Sequence, residues 1–169
     1  MYSTIIQLET NPISESERLT ANEMQTNDEY DWFFASISDG VEEPENPEES
    51  FEFIIEELQY FGNIEVGSDD KGEWIVFEEG FRRSYFEKIY PHFEEALKTM
   101  VEEANLDAFC GLKIGALLYP LKLAVDNWTG IYIKSESYGL ITLNEFIRHI
   151  LPLRPNEQYY IGGTVEYHF

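Results

Sequence analysis

The amino-acid sequence predicts an α+β fold in one domain spanning residues 1–169, with a mostly antiparallel or mixed sheet packed against two or three helices. Segments with strand-like alternation are interspersed with segments whose apolar residues recur at helical spacing. The chain has 169 residues, of which 43% are hydrophobic and 15% aromatic, and this apolar content is sufficient for a single core. The sequence has no fixed-period repeat of the kind found in solenoids and propellers.

The first fifty residues predict one strand followed by mostly irregular chain. Residues 1–10 alternate as a strand with one buried face. Residues 11–31 are polar and loop-like, with at most a short helix over residues 17–25. Residues 30–38 are apolar, and their periodicity fits either a strand or a short helix. Residues 39–50 carry two prolines and five glutamates and are interpreted as a linker inside the domain.

A helix and a β-hairpin follow this linker. Asn46 is a candidate N-cap, Pro47 suits the first helical position, and Gly62 suits the C-terminal end. Residues 63–79 then predict two alternating strands, joined by a turn-rich loop at residues 68–72. The helix carries an apolar stripe at helical spacing, formed by Phe51, Ile54, Ile55, Leu58 and Phe61.

A second long helical pattern runs from Ser84 toward Asn105. Ser84 and Glu87 have the spacing of a capping box at its start. Pro91 lacks the backbone N–H that an internal helical position requires, so we expect a break near Tyr90.

The last third is less charged and richer in glycine, leucine and isoleucine. A strand is predicted over residues 128–135, and Thr142 is expected to cap a short helix that ends before Pro152. Residues 158–167 predict the final strand, with a bulge or bend at Gly162-Gly163. Residues 109–125 fit no single pattern.

Two further observations concern compartment and membranes. The longest apolar stretch, residues 114–125, contains Pro120 and Lys122 and is too short to span a bilayer. Cys110 is the single cysteine, so an intrachain disulfide and a cysteine-based zinc site are both excluded. The N-terminus lacks a basic leader and a long apolar region. We therefore predict a cytoplasmic protein that does not bind membranes.

Net charge is the most unusual property of the sequence. The chain has 33 acidic and 11 basic residues, a net charge of −22. Residues 1–70 contain 19 acidic residues and one basic residue, whereas residues 71–169 have a net charge of only −4. Such a field repels nucleic acids and attracts basic proteins, so no direct nucleic-acid binding is expected and a basic protein surface is the expected partner. The alternative interpretation is that the charge only keeps the protein soluble.

Signatures of enzymes are absent from the sequence. It contains no phosphate-binding loop, no dinucleotide fingerprint, no serine-hydrolase elbow and no paired-histidine zinc motif. Acidic doublets are frequent, but adjacent residues on a helix or strand point apart and cannot form a carboxylate dyad alone. We therefore predict no catalytic residues, no metal site and no cofactor.

The candidate partner-binding residues lie on and near the first long helix. Glu45, Glu49, Glu52 and Glu56 follow one another at steps of three or four residues, which places them on one face opposite the apolar stripe. Neighbours at this spacing are about 5 to 6 Å apart, comparable with the spacing of phosphates along a nucleic-acid strand. This row of carboxylates can imitate a phosphate backbone, although a solvated face of an acidic protein has the same pattern.

Four aromatic or acidic residues complete the predicted surface. Phe53 and Tyr60 lie off the apolar stripe of the same helix, and Asp31 and Trp32 belong to an aromatic and acidic segment just before it. Such side chains suit lysine and arginine through ion pairs and cation–π contacts.

These observations favour a non-enzymatic acidic binding protein that occupies a basic surface, as an inhibitor, an immunity-type protein or a nucleic-acid mimic. A different hypothesis is a small-molecule-binding domain or enzyme, with a pocket in the last third lined by Trp128, Tyr132, Tyr159 and Tyr160. A third is a subunit of an assembly, for which a large exposed apolar patch would be the sign.

Overall fold

The computed structural model describes residues 2 to 168, and within them a seven-stranded mixed sheet is flanked by helices, which confirms the predicted α+β class. Met1, included in the first predicted strand, lies outside the described residues. The strands are β1 (Tyr2–Glu9), β2 (Gly40–Glu42), β3 (Ile64–Asp69), β4 (Gly72–Phe77), β5 (Tyr132–Ser135), β6 (Gly139–Thr142) and β7 (Gln158–His168).

The strand order is β3-β4-β7-β1-β5-β6, and all pairs are antiparallel except β1 with β5. β7 is the longest strand, and β1 lies along one of its sides. On the other side β4 pairs with the start of β7, where Trp74 is opposite Tyr160, and β2 pairs with its end, where Val41 is opposite Tyr167. Within the described part of the chain, residues 161–165 have no strand partner on that side.

The bulge predicted at Gly162-Gly163 is confirmed. β1 and β7 shift register there, because Ile6 is opposite Thr164 whereas Leu8 is opposite Ile161. A Cβ atom on Gly163 would collide with the carbonyl oxygen of Leu19, so the neighbouring chain can approach only a glycine at this position.

Seven helices lie within residues 2 to 168, more than the two or three predicted. They are α1 (Ala21–Thr26), α2 (Asp31–Ser36), α3 (Pro47–Phe61), α4 (Phe81–Glu103), α5 (Leu106–Cys110), α6 (Lys113–Asp126) and α7 (Leu143–Glu145). α7 continues as a π-helical turn (Phe146–Ile150) and a 3₁₀ turn (Leu151–Leu153), so the chain stays helical through Pro152. α3 begins at Pro47 after Asn46 and ends at Gly62, as predicted.

The predicted start and break of the second long helix are wrong. α4 begins at Phe81, and the Ser84 hydroxyl donates to the Phe61 carbonyl oxygen at 2.6 Å instead of capping the helix. The helix also continues through Pro91. Buried Ile89 and Ala96 fix it on both sides of the proline, so packing outweighs the one hydrogen bond that Pro91 cannot make.

Other differences concern short elements. The predicted linker contains β2, the undecided segment 30–38 contains α2, and the ambiguous segment 109–125 is largely α6. The strand predicted from Trp128 begins only at Tyr132, and β6 was not predicted. The hairpin formed by β3 and β4 and the cap at Thr142 are confirmed, the latter with a complete Thr142/Glu145 capping box.

The sheet separates two hydrophobic clusters. Ile6 and Leu8 of β1 belong to a cluster that includes buried residues of α3, α4, α6 and α7, whereas Ile5 belongs to a cluster with α1 and α2. Successive strand residues face opposite sides of a sheet, so β1 contributes to both cores. α3 therefore packs on the opposite sheet face from α1 and α2.

Candidate functional site

The carboxylate row of α3 lies on the exposed face of the helix. Ile54, Leu58 and Phe61 are buried against the sheet, whereas Glu49, Glu52 and Glu56 are exposed on the opposite face. Glu45 is also exposed, two residues before the helix begins. The structure thus exposes all four predicted glutamates. Helical spacing holds for Glu49, Glu52 and Glu56, but the prediction that Glu45 shares the helix face is wrong, because the helix begins only at Pro47.

A small groove of about 530 Å³ lies on one side of this row. It brings Glu45, Glu49 and Phe53 together with two glutamates from β2 and β7, Glu42 and Glu166. These two are direct register partners across the strands. The remaining lining residues are Thr4, Asn46 and Ser50.

A large groove of about 660 Å³ lies on the other side of the row. Its floor is the part of β7 between β4 and β2, with the glycines of the bulge. Among the predicted residues only Glu52 lines it. Its five glutamates come from four separate segments of the chain: Glu15, Glu43, Glu48, Glu52 and Glu73.

One wall of the large groove is held in place by Gln7. This side chain is 4% exposed, and its Oε1 accepts hydrogen bonds from the N–H groups of Leu19 at 2.7 Å and Gly163 at 3.2 Å. Its Nε2 donates to the Glu17 carbonyl oxygen at 2.9 Å. A buried amide that bonds two chain segments fixes the loop containing Arg18 against the bulge.

The charge of both grooves is largely uncompensated. In residues 2 to 168, the ion pairs of lysine and arginine involve only glutamates near α4 and α6: Arg83–Glu87, Lys98–Glu102 and Lys113–Glu103. Glu42 lies 3.2 Å from His168 Nε2, and Glu43 accepts a hydrogen bond from the Ala21 N–H at 2.6 Å. Arg18 is the single lysine or arginine among the groove-lining residues.

Four predicted residues lie outside the grooves. Glu56 is exposed farther along α3. Tyr60 is 63% exposed, but the Lys88 ammonium lies 4.0 Å from its ring centroid, so its face already binds a cation. Asp31 and Trp32 begin α2, on the opposite sheet face from α3, and Trp32 is 46% exposed.

The four aromatic residues predicted to line a pocket in the last third do not converge on one cavity. Tyr132 and Tyr159 are buried in the two different hydrophobic clusters. The Trp128 ring stacks on His92 with the centroids 4.2 Å apart, and the Tyr160 hydroxyl donates to Asp69 at 3.1 Å. Each ring is used in packing or in an internal contact.

Residues 2 to 168 contain neither a metal-binding cluster nor a membrane-spanning helix. No group of three or more histidine, cysteine, aspartate or glutamate side chains is arranged to hold a metal ion. No helix in this part of the chain combines the length and the apolar character needed to cross a membrane.

Comparison of the chain with protein-family models, with curated proteins and with solved structures gave no significant match.

The residues that sequence reasoning missed are those that tertiary structure brings to α3. Glu42 and Glu166 are 124 positions apart in the sequence and meet only because β2 pairs with β7. Glu15 and Glu73 reach the large groove from a 3₁₀ turn (Glu15–Glu17) and from β4. No local pattern links these positions. The acidity of the first 70 residues pointed toward Glu15 and Glu42, but nothing in the sequence pointed toward Glu73 and Glu166.

Proposed function

We propose that this chain is an acidic binding protein that covers a basic surface of a partner protein with the exposed face of α3 and the two grooves beside it. The observation that carries this proposal is the placement of nine glutamates around two adjoining grooves, with Arg18 as the single lysine or arginine among the lining residues. Uncompensated carboxylates in concave surfaces focus the electric field and attract cationic groups.

The energetic cost of this arrangement supports a binding role. Glu49, Glu52 and Glu56 are like charges at three- and four-residue spacing, which destabilises a helix by a few tenths of a kcal/mol per pair. Glu42 and Glu166 are like charges directly opposite each other on paired strands, which is also destabilising. Cationic groups of a basic partner would relieve both repulsions, so this charge layout would favour binding of such a partner.

The kind of partner follows from spacing and chemistry. Along α3 the Cβ atoms of neighbouring glutamates in the row are about 5 to 6 Å apart, a spacing of the same order as that of phosphates along a nucleic-acid strand. Phe53, 54% exposed at the edge of the small groove, offers an apolar anchor beside Glu49. We infer that the partner surface is one that binds nucleic acid, reached by electrostatic steering and held by ion pairs around this ring.

Charge reversal provides the test. The Glu49→Lys/Glu52→Lys/Glu56→Lys variant and the unchanged chain are used to capture proteins from a cell extract at low salt. Each captured protein is then purified and its association rate is measured against both chains. We expect at least one basic protein that associates at least tenfold more slowly with the variant, and for which duplex DNA competes with the unchanged chain.

The matched control is Glu78→Lys/Glu79→Lys/Glu95→Lys, which changes the net charge equally with exposed residues outside both grooves. It should keep most of the association rate. Equal losses in both variants would show that only net charge matters and would contradict a site on α3. Failure to capture any basic protein would contradict the function itself.

A further inference from the structure

α6 is apolar on nearly every side, yet little of it is buried. Nine of its 14 residues are aliphatic or aromatic, and only Leu117 and Ala124 are buried. A helix that is hydrophobic all round is normally covered all round. On α6, Leu118, Tyr119 and Val125 are 47%, 63% and 39% exposed.

α4 and α6 form an antiparallel helical hairpin with α5 at its tip. At the tip Lys113 Nζ lies 2.8 Å from the Glu103 carboxylate, and at the base the rings of His92 and Trp128 stack. The two helices run in opposite directions, so residues later in α4 lie beside residues earlier in α6. Glu94 lies between the two contacts, and it is therefore level with residues 122–126.

The exposed apolar side chains of the two helices lie on the same side of this hairpin. On α4, Leu97 directly follows buried Ala96, and on α6 Leu118 and Val125 directly follow buried Leu117 and Ala124. Each residue along a helix is rotated by 100° around the axis from the one before it. When two antiparallel helices face each other, the residue that follows a facing residue therefore points to the same side of the hairpin on both helices. Tyr90 and Val101 share the stripe of Leu97 by helical spacing.

The tip extends this surface, which we call the hairpin face. It consists of Tyr90, Leu97, Val101, Leu118 and Val125 on the two long helices and Leu106, Phe109 and Leu112 at the tip, which are 76%, 71% and 97% exposed. Exposed apolar side chains clustered in this way mark an interaction site.

We propose that the hairpin face binds the same face of a second copy of this chain, so that two hairpins form a four-helix bundle around a twofold axis. Charge is the reason for choosing a second copy as the partner. Residues 106–126 contain two lysines and two aspartates and are neutral, although the whole chain has a net charge of −22. Two copies of so acidic a chain can approach closely only through a neutral surface, and a basic partner is attracted to the acidic grooves instead.

The edges of the hairpin face are complementary to each other. Glu94 is exposed on the outer edge of α4, and Lys122 is exposed on the outer edge of α6 at the same level along the hairpin. A twofold axis parallel to the helices places α4 of one copy against α6 of the other. Glu94 then faces Lys122 of the second copy at both edges, while Leu97 packs near Leu118 of the second copy.

The test is the oligomeric state of the purified full-length chain, measured by analytical ultracentrifugation over a range of concentrations. We expect a dimer that dissociates at least tenfold more readily after Leu97→Ala/Leu118→Ala, a mild change that keeps the fold. Leu153→Ala removes a 78% exposed leucine outside the hairpin and should leave the dimer unchanged. A monomer at all concentrations, or equal effects of the two variants, would overturn the proposal.

Two further measurements separate this dimer from the proposed partner binding. Salt screens the repulsion between two acidic chains. When NaCl is raised about 10-fold, from 0.05 to 0.5 M, the affinity of the dimer should therefore rise, while binding of a basic partner should weaken.

The charge pair at the edges of the hairpin face gives the second measurement. Glu94→Lys and Lys122→Glu should each weaken the dimer, and the double variant should restore it. Absence of restoration would contradict the twofold arrangement, and a monomer that needs the hairpin face to bind a basic protein would assign this face to that protein.

Discussion

The Tyr85 hydroxyl of α4 donates a hydrogen bond of 2.5 Å to Asn144 Oδ1 of α7, and both residues are fully buried. Asn144 Nδ2 in turn donates to the carbonyl oxygens of Ala124 and Val125, each at 3.1 Å. This pair connects α4, α6 and α7 at the base of the helical hairpin. Because each polar atom lies in a low-dielectric interior, losing one partner is expensive for the others.

The Tyr85–Asn144 hydrogen bond should contribute measurably to stability. Tyr85→Phe should lower the free energy of unfolding by about 1 to 3 kcal/mol, because it leaves Asn144 Oδ1 buried without a donor. Urea denaturation measures the change. Tyr119→Phe is the matched control, since Tyr119 is 63% exposed on α6 and its hydroxyl is hydrated in either state. Equal effects of the two substitutions would show that the Tyr85–Asn144 bond contributes nothing.

The opposite result is expected at Tyr159. Its ring is 1% exposed and packs edge-on against Phe146 and Phe77, but its buried hydroxyl has no hydrogen-bond partner among residues 2 to 168. Tyr159→Phe keeps the ring and removes the unsatisfied group, so it should stabilise the protein by about 1 kcal/mol. A clear loss of stability in the same urea experiment would show that the hydroxyl is satisfied.

Buried tyrosines also predict a loss of stability at alkaline pH. Burial raises the pKa of Tyr159 and of Tyr167 to about 12, from the ordinary value of 10. Below pH 10 both the folded and the unfolded states keep these protons. Between pH 10 and 12 the unfolded state loses them and the folded state does not, so the free energy of unfolding falls as pH rises.

Urea midpoints measured at pH 8, 9.5 and 11 test this pH dependence. The midpoint should be nearly constant up to pH 9.5 and lower at pH 11. Tyr159→Phe removes one of the shifted groups, so its midpoint should fall less over the same interval. A midpoint that is unchanged at pH 11 would contradict the prediction.

The parts of the fold that could be predicted from sequence are those with local signals. Pro47 and Gly62 mark the ends of α3, the β3–β4 hairpin has a strong turn, and Thr142 with Glu145 forms a capping box. Each depends on residues only a few positions apart. The acidic row of α3 was predictable for the same reason, because helical spacing alone places Glu49, Glu52 and Glu56 on one face.

The elements that could not be predicted depend on distant contacts. β2 has only three residues and exists because it pairs with the end of β7, and the two grooves are assembled from segments at both ends of the chain. α6 lacks a polar face, so its pattern could not be assigned to helix or strand. Pro91 suggested a break that the packing of Ile89 and Ala96 prevents.

Salt should increase the stability of this protein. The carboxylates of α3 repel one another, and salt screens that repulsion in the folded state.

Removing two of these charges should have the same effect as salt. Glu49→Gln/Glu52→Gln should raise the free energy of unfolding by a few tenths of a kcal/mol. Glu87→Gln should lower it slightly, because Glu87 pairs with Arg83 Nε at 2.7 Å. Urea midpoints at 0.05 and 0.5 M NaCl compare these chains, and a salt-independent midpoint would contradict the prediction.

The bulge in β7 depends on the absence of a side chain at Gly163. Gly163→Ala should destabilise the protein by about 1 to 3 kcal/mol, because the new methyl group would collide with the carbonyl oxygen of Leu19, a backbone atom that no side-chain rotation can move away. Gly40→Ala is the matched control, since a Cβ there meets nothing within 4 Å. The substitution should also loosen the loop that Gln7 holds, which forms one wall of the large groove.

Trypsin reports this loosening directly, because Arg18 is the only lysine or arginine in residues 1–70. In the unchanged chain Leu19, just after the cleavage site, is 2% exposed and bonded to Gln7, so cleavage requires local opening. Cleavage after Arg18 should therefore be several-fold faster in Gly163→Ala than in Gly40→Ala under conditions where both chains are folded. Equal cleavage rates would show that the close contact between Gly163 and Leu19 does not hold this wall of the groove.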